Sequence, residues 1–416
     1  MGLPERISTE SLLLLLTETW KKAVDQGNKV GVIFVDFKKA FDTINHNILK
    51  DKLQAAGISG PFHEWIASYL TNRRQYVVVN GERSDIKLVE VGVPQGSLLG
   101  PRLFVIYVND LPDSTPLGYI HMFADDTTIY YIGKDPEEIV DALNVMLQAF
   151  YVWCQRNQLT VHTGKTEAMY ISCSPFVGPL REIKFGEDTI EFKQESKCLG
   201  VVIDNRFSWK PQVEAVCKKF LSKIRFLRRL KSLPTRTLED IYYKGAISSV
   251  TYCIAVWGTT SAPVFNQLEK LHCKAAKLIY RLPSSTPDHE ALQNANWMPI
   301  SYIYKRRVAA IMYNVKSKTL PESILNLFET NENPTSRELR NNSCFKSIQP
   351  RTEFGRNSIR FRGPAIWKVI PTETKNCPSY NNFKNKLSTI RQLLNNIQFE
   401  KGQSTTTFRR QDYFYF

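Results

Sequence analysis

Tyr119-Ile120-His121-Met122-Phe123-Ala124-Asp125-Asp126-Thr127-Thr128-Ile129-Tyr130-Tyr131 sets two adjacent carboxylates between two short strand-forming runs. The pattern predicts a tight hairpin with the acids at its tip. Side chains alternate faces along a strand, but a turn can present successive residues to one side, so a paired Asp there can hold a divalent ion. Asp is also a common turn former, and taken alone the dipeptide reads as a solvated turn. The rest of the chain shifts the weight toward the metal.

A third carboxylate ends Val30-Gly31-Val32-Ile33-Phe34-Val35-Asp36-Phe37, an unbroken apolar run whose strand is expected to be buried on both faces. Asp36 then sits at the rim of a core, where an unpaired charge is costly unless a metal or a cation meets it. Three converging carboxylates suit magnesium. Two such ions about 3.5 to 4 Å apart would activate an attacking hydroxyl and steady a leaving pyrophosphate.

With 416 residues, 43% hydrophobic and 23% charged, the chain can build two or more cores. Its 55 basic residues exceed its 40 acidic ones, and the excess is uneven: residues 1–204 are net −6 and residues 205–416 net +21. A polyanion gripped by the second half and processed by the first would explain this, as would a basic surface that binds nothing. The eight cysteines form no C-x-x-C pair and no zinc spacing, which points to reduced thiols and an intracellular protein. Leu12 to Leu16 is far too short to span a bilayer, so neither a signal peptide nor a membrane anchor is expected.

A helix is expected over Ser8 to Lys22, with Leu12, Leu15, Leu16, Thr19 and Trp20 near one face. Others are expected after Asp42, stopping at Gly57, and from Ser59-Pro61 through Leu70. Asn80-Gly81 predicts a hairpin joining Tyr76 to Val79 with Ile86 to Val91. Gly92-Val93-Pro94-Gln95-Gly96-Ser97-Leu98-Leu99-Gly100-Pro101 then leads into an apolar helix from Leu103 to Leu111. Its glycines leave the backbone open to a ligand, although Gly-Pro turns are commonly structural. A long amphipathic helix containing Ile139, Leu143, Met146, Phe150 and Trp153 is core. Strands are expected over Glu167 to Ser172 and Cys198 to Ile203. From Trp209 the chain turns helical, with Val213, Val216, Phe220, Ile224 and Leu227 on one stripe and the basic Lys218, Arg225 and Arg229 on another. Further helices are expected over Leu238 to Val256 and Val264 to Tyr280, and a polar linker over Asn331 to Asn342. Beyond it Arg351, Arg356, Arg360 and Arg362 alternate with Phe354, Ile359, Phe361 and Trp367. That alternation suits phosphates and unstacked bases, or a solvated basic surface around a small aromatic core.

In order, Val35-Asp36-Phe37-Lys38-Lys39-Ala40-Phe41-Asp42, Gly92-Val93-Pro94-Gln95-Gly96-Ser97, Phe123-Ala124-Asp125-Asp126, Gly164-Lys165-Thr166 and Leu199-Gly200-Val201 resemble the reverse transcriptases of non-LTR retrotransposons, Jockey-like elements included. The likeness runs from the first residues to about Leu282, and Arg351 to Pro371 resembles the element's C-terminal tail. It implies an α+β fold, a palm on a small antiparallel sheet followed by a helical thumb. The divisions would fall at 1–28 for a remnant of the fingers and palm entry helix, 29–205 for the palm, 206–285 for the thumb and 286–416 for a basic extension.

The resemblance also implies RNA-directed DNA synthesis, with an RNA template, a DNA primer and dNTPs as partners. Asp36, Asp125 and, less directly, Asp126 would hold two Mg2+ ions, or Mn2+ in their place, with the Phe37 carbonyl as an optional further ligand. Phe41 would crowd the sugar 2′-position, and Gln95 with Gly96 would line the incoming nucleotide. Lys165 would give a proton to the pyrophosphate, and Leu199, Gly200 and Val201 would steady the primer. On their own, Phe41 reads as packing and Lys165 as a surface residue. Only Leu3-Pro4-Glu5-Arg6-Ile7-Ser8-Thr9 resembles the end of the family's fingers, and no zinc knuckle follows the thumb. The chain is therefore expected to be N-terminally truncated, with Arg6 its one candidate for a fingers cation, and to bind nucleic acid through 205–416 while polymerising poorly. Two alternatives stand beside the polymerase: an inactive nucleic-acid-binding relic, and another two-metal nucleotidyl enzyme such as a cyclase.

Overall fold

The computed structural model describes residues 8–174, 181–330, 345–395 and 397. The chain divides into two compact units, one from Asn28 to Ser196 and one joining the residues up to Gly27 with those from Lys197 onward. The first helix, α1 (Thr9–Asp25), therefore groups with the C-terminal half and not with the strand it leads into.

In the Asn28–Ser196 unit, β1 (Lys29–Val35) is buried from Val30 to Val35, as an apolar strand flanked on both sides must be. α2 (His46–Ala55), capped by the Asn45 side chain, and α3 (Gly60–Leu70) follow. The Asn80-Gly81 hairpin forms with both turn residues at positive φ, 50° and 88°. Its strands are shorter than expected and split into two ladders, because no core backs them. β2 (Arg74–Gln75) pairs with β5 (Lys87–Leu88), and β3 (Val78–Val79) with β4 (Glu82–Arg83), all of them exposed. Next come α4 (Gly100–Val108), β6 (Tyr119–Phe123), β7 (Asp126–Gly133), α5 (Pro136–Arg156), β8 (Glu167–Ile171), β9 (Ile183–Phe185) and β10 (Asp188–Phe192).

These strands make a six-stranded sheet in the order β6-β7-β1-β8-β10-β9. Its pairings are antiparallel except β8 with β10, which is parallel, so the sheet is mixed at that side. The stripe of α5 lies on β1. A Cβ at Gly31 would stand 2.5 Å from Ile139 Cγ2 and 2.6 Å from Leu143 Cδ1, so this close approach requires glycine.

In the other unit α1 is buried nearly all round, and Leu15 and Thr19, expected on its inner face, are only half-buried. It is tied at both ends. Glu10 accepts from Arg307, with Nε at 2.7 Å, while Asp25 Oδ1 accepts from the backbone of Arg351 and Thr352 at 2.9 and 2.7 Å. Instead of one strand over Cys198 to Ile203 there is a hairpin, β11 (Glu195–Cys198) and β12 (Val201–Asp204). Leu199 and Gly200 at φ 46° and 82° reverse the chain between them.

α6 (Lys210–Arg229) begins after Trp209 as expected. The helix expected over Leu238 to Val256 is broken into α7 (Thr235–Ile241), a π-helical turn (Tyr242–Ala246), α8 (Ile247–Thr251) and α9 (Ile254–Trp257). Cys253 in left-handed backbone, φ 51°, makes the last break. α10 (Ala262–Ile279), α11 (Asp288–Asn294), α12 (Ile300–Lys316), α13 (Glu322–Leu325), α14 (Glu353–Arg356) and α15 (Ile359–Val369) follow, with α13 and α14 against α1, and then α16 (Thr372–Lys375), α17 (Tyr380–Thr389) and α18 (Arg391–Asn395), the last two packed on α12. The linker expected over Asn331 to Asn342 lies outside the described residues.

The alternating arginines near the end are largely occupied inside this unit. Arg362 is buried, donating to Asn357 Oδ1 at 2.5 Å and to the Arg356 carbonyl, and Arg360 Nε donates to the Leu327 carbonyl at 3.0 Å. Arg356 pairs with Glu353 at 2.9 Å, and Trp367 is buried. These contacts put Arg362 and Trp367 in a local core, with Arg356 in an ion pair at its edge. Cys154, Cys198, Cys253, Cys273 and Cys377 are buried, and among the described residues no helix is long and apolar enough to cross a membrane.

Candidate active site

The register of the sheet decides where the three acids stand. β1 and β7 pair from Lys29↔Gly133 to Val35↔Thr127, so Asp36 and Asp126 are the next positions along the two neighbouring strands. β6 and β7 close at Phe123↔Asp126, leaving Ala124-Asp125 as a two-residue turn with Ala124 at φ 55°. Asp36, Asp125 and Asp126 are thus brought to one end of the sheet, which neither sequence stretch could show alone.

Asp36 is held by its backbone. Its N–H donates to Thr166 Oγ1 at 3.2 Å and its carbonyl accepts from the His162 N–H at 2.7 Å. Phe37 bridges to Val161, its ring buried edge-on to Phe150 at 5.9 Å. The loop before β8 therefore clamps the end of β1 and carries Lys165 with it. Lys165 Nζ lies 3.9 Å from Asp36 Oδ2, with the two side chains 66% and 45% exposed. That separation and exposure make a weak ion pair, open to a ligand.

Asp125 and Asp126 are exposed. Behind them His121 and Tyr130 stack at 5.7 Å, 4° from parallel, and burial pushes the imidazole down and the phenol up, so both are uncharged near neutral pH. Among the described residues no three acidic, histidine or cysteine side chains stand close enough together to hold a metal ion. The chemistry of the donors, not their spacing, points to one kind of ion: oxygen-only side chains suit a hard divalent cation and would not suit a soft one.

Gln95 is exposed, and its Nε2 donates to Asp42 Oδ1 at 2.8 Å. Gly96, at φ 79°, has open space where a Cβ would be. Gly92, at φ 88°, comes so near the Asp42 backbone that a Cβ would stand 2.7 Å from its carbonyl oxygen. The two stretches are further joined by Val93 N–H to the Phe41 carbonyl at 2.8 Å. Phe41 is half-buried, its ring centroid 4.8 Å from that of Phe104. Asp42, Thr166 and His162, which position Gln95 and Asp36, were missed from the sequence. Only Asp42, at the end of the Val35–Asp42 motif, and Thr166, in Gly164-Lys165-Thr166, gave a signal.

The other named residues belong to the second unit. In the β11–β12 turn the Leu199 carbonyl accepts from Tyr252 Oη at 2.8 Å, and Gly200 lies against the same ring, followed by buried Val201. Lys218, Arg225 and Arg229 are exposed on α6, opposite its buried Val213, Val216, Phe220, Ile224 and Leu227. Arg6 lies outside the described residues.

Residues 2–203 match the family described as reverse transcriptase (RNA-dependent DNA polymerase). The chain is 27% identical over 68% of its length to a probable RNA-directed DNA polymerase from transposon BS of Drosophila melanogaster, covering 32% of that protein. It is 25% identical over 63% of its length to the RNA-directed DNA polymerase from mobile element jockey of Drosophila funebris, covering 30% of it. A Pol polyprotein from the type-1 element R1 of Bradysia coprophila is 30% identical over 54% of this chain and is covered for 23%. The chain spans about a third or less of these relatives.

Proposed function

We propose that residues 2–203, which match the reverse transcriptase family and resemble its Jockey-like non-LTR members, supply the nucleotidyl-transfer site of an RNA-directed DNA polymerase. The observation that carries this reading is the register that sets Asp36 beside the Asp125-Asp126 turn, with Lys165 Nζ 3.9 Å from Asp36. RNA template, DNA primer and dNTPs are the partners it implies.

Asp36, Asp125 and Asp126 would hold two divalent ions, magnesium in this reading, which supply charge to activate the primer hydroxyl and steady the pyrophosphate. Lys165, tethered by the same loop that clamps Asp36, holds a proton where the pyrophosphate departs. Gln95, fixed by Asp42, and the open backbone at Gly96 form the wall for the incoming nucleotide. Phe41, backed by Phe104, closes the space at its sugar 2′-position. Leu199 to Val201, stiffened by Tyr252, would steady the primer.

Primer extension on an RNA template tests the assignment. Asp36→Asn and Asp125→Asn should each lower extension by about a thousandfold or more, with binding of an RNA–DNA duplex unchanged because the basic surface of α6 is untouched. Extension by either variant at the wild-type rate would end the catalytic assignment. A wild-type chain that binds duplex and never extends it would favour the inactive-relic reading.

A further inference from the structure

α3 buries Ile66 and Leu70 and carries on another face the exposed Phe62 and Trp65 and the half-buried Tyr69, which also packs on the core, at the i, i+3, i+7 spacing that aligns side chains along a helix. The rings form a ladder. Phe62 and Trp65 have centroids 5.8 Å apart at 12°, and Trp65 and Tyr69 lie 6.3 Å apart at 20°. The Arg73 guanidinium caps the ladder 5.1 Å from the Tyr69 ring, and Arg83 lies 5.3 Å from Tyr76 on the hairpin that follows. Phe62 and Trp65 are 55% and 52% exposed, and Tyr76 is 48% exposed.

Keeping two large aromatic side chains in water costs hydrophobic free energy that a partner would recover. The cations say which partner. Arg73, Arg74, Arg83 and Lys87 are all exposed, and none has an acidic side chain within ion-pair distance among the described residues. Unpaired guanidinium groups beside near-parallel exposed rings match phosphates beside unstacked bases. A duplex, with its bases already stacked and paired, has no faces to offer such a ladder.

We infer that the α3 ladder with Arg73 and the 74–88 hairpin is a binding surface for single-stranded RNA, separate from the acidic strand ends. It rests on the nucleic-acid reading above but not on catalysis, and its test is a binding measurement that does not depend on extension.

The probe is a fluorescein-labelled, unstructured 20-nucleotide oligouridylate, titrated with the full chain by anisotropy at fixed salt, beside a blunt RNA–DNA duplex. Phe62→Ala with Trp65→Ala should weaken oligouridylate binding about tenfold or more, as loss of base stacking does, and change duplex binding less than about twofold. Arg73→Gln, which leaves the rings in place, should weaken the same probe and lower its salt dependence. Circular dichroism melting of each variant confirms the fold, and both substituted rings are more than half exposed. Single-strand binding unchanged in both variants overturns the proposal. So does a fall in duplex binding as large as in single-strand binding. If sedimentation instead shows the ring variant converting a dimer to a monomer with oligouridylate binding intact, the ladder pairs two copies and the proposal fails.

Discussion

Phe41 is fixed by two contacts that differ in kind: its ring packs on Phe104, and its carbonyl accepts from Val93 at the start of the Gln95 loop. A smaller residue should therefore open space for a 2′-hydroxyl without moving the backbone. Phe41→Val should raise ribonucleotide use relative to deoxynucleotide use by about tenfold or more in single-nucleotide extension, and unchanged discrimination would reduce Phe41 to packing. His272 makes a prediction of a different type. Its Nε2 lies 2.9 Å from the Met298 carbonyl, which can only accept, so Nε2 carries the proton and Nδ1 accepts from Tyr242 Oη at 2.5 Å. Burial lowers this imidazole from its ordinary 6.5 to about 4. The unfolded chain thus takes up a proton that the folded chain refuses. Stability from this group is complete above about pH 6.5, falls as pH drops toward 4, and loses about 3 kcal/mol over that window. Urea midpoints at pH 7 and 4.5 should show a smaller decline in His272→Gln than in the wild type; equal declines would assign the effect elsewhere.

At the scale of elements, α6 is legible from its periodicity alone. Its apolar positions recur at helical spacing, and the residues between them, including Lys218, Arg225 and Arg229, have nowhere to go but outward. Replacing these three with Gln should weaken RNA–DNA duplex binding and reduce the slope of log affinity against log salt by about one unit per lost phosphate contact. A slope equal to the wild type's would leave this face to solvent. The Asn80-Gly81 turn is legible for the same local reason, since φ > 0 at both positions is what those residues tolerate. The split of its strands is not, because strand length depends on what lies beneath. Nor is the break of Leu238 to Val256, where helix-forming residues pass through a π turn and a left-handed Cys253.

For the molecule as a whole, α1 depends on charges buried against residues more than three hundred positions away. Lys21 Nζ is fully buried, 3.2 Å from Glu18 Oε1 and 2.9 Å from the Asn357 carbonyl, while Glu18 Oε2 accepts from the Arg360 N–H at 3.3 Å. Burial lowers the Lys21 pKa, and the Glu18 partner opposes that shift. Glu18→Gln would leave a buried ammonium without its counter-charge, at a cost of about 3 kcal/mol. Hydrogen exchange should quicken first in α1 and α12 through α15, with β1, β7 and β8 keeping their protection. Uniform acceleration across both units would show that α1 does not stabilise the C-terminal unit selectively.

Elements that rest on local chemistry are readable along the chain: the buried strand ending in Asp36, the Asp125-Asp126 hairpin, the α5 stripe and the basic face of α6. The chain also carried the order of motifs by which the reverse transcriptase likeness was readable. Tertiary structure alone decided which end of which strand meets Asp125, that Asp42 holds Gln95, that Arg362 turns inward and that α1 joins the second unit. The physical reason is range. Periodicity and turn preference act over a few residues, whereas register, close approach and the partner of a buried charge are set by segments far apart in the chain, whose meeting no single stretch encodes.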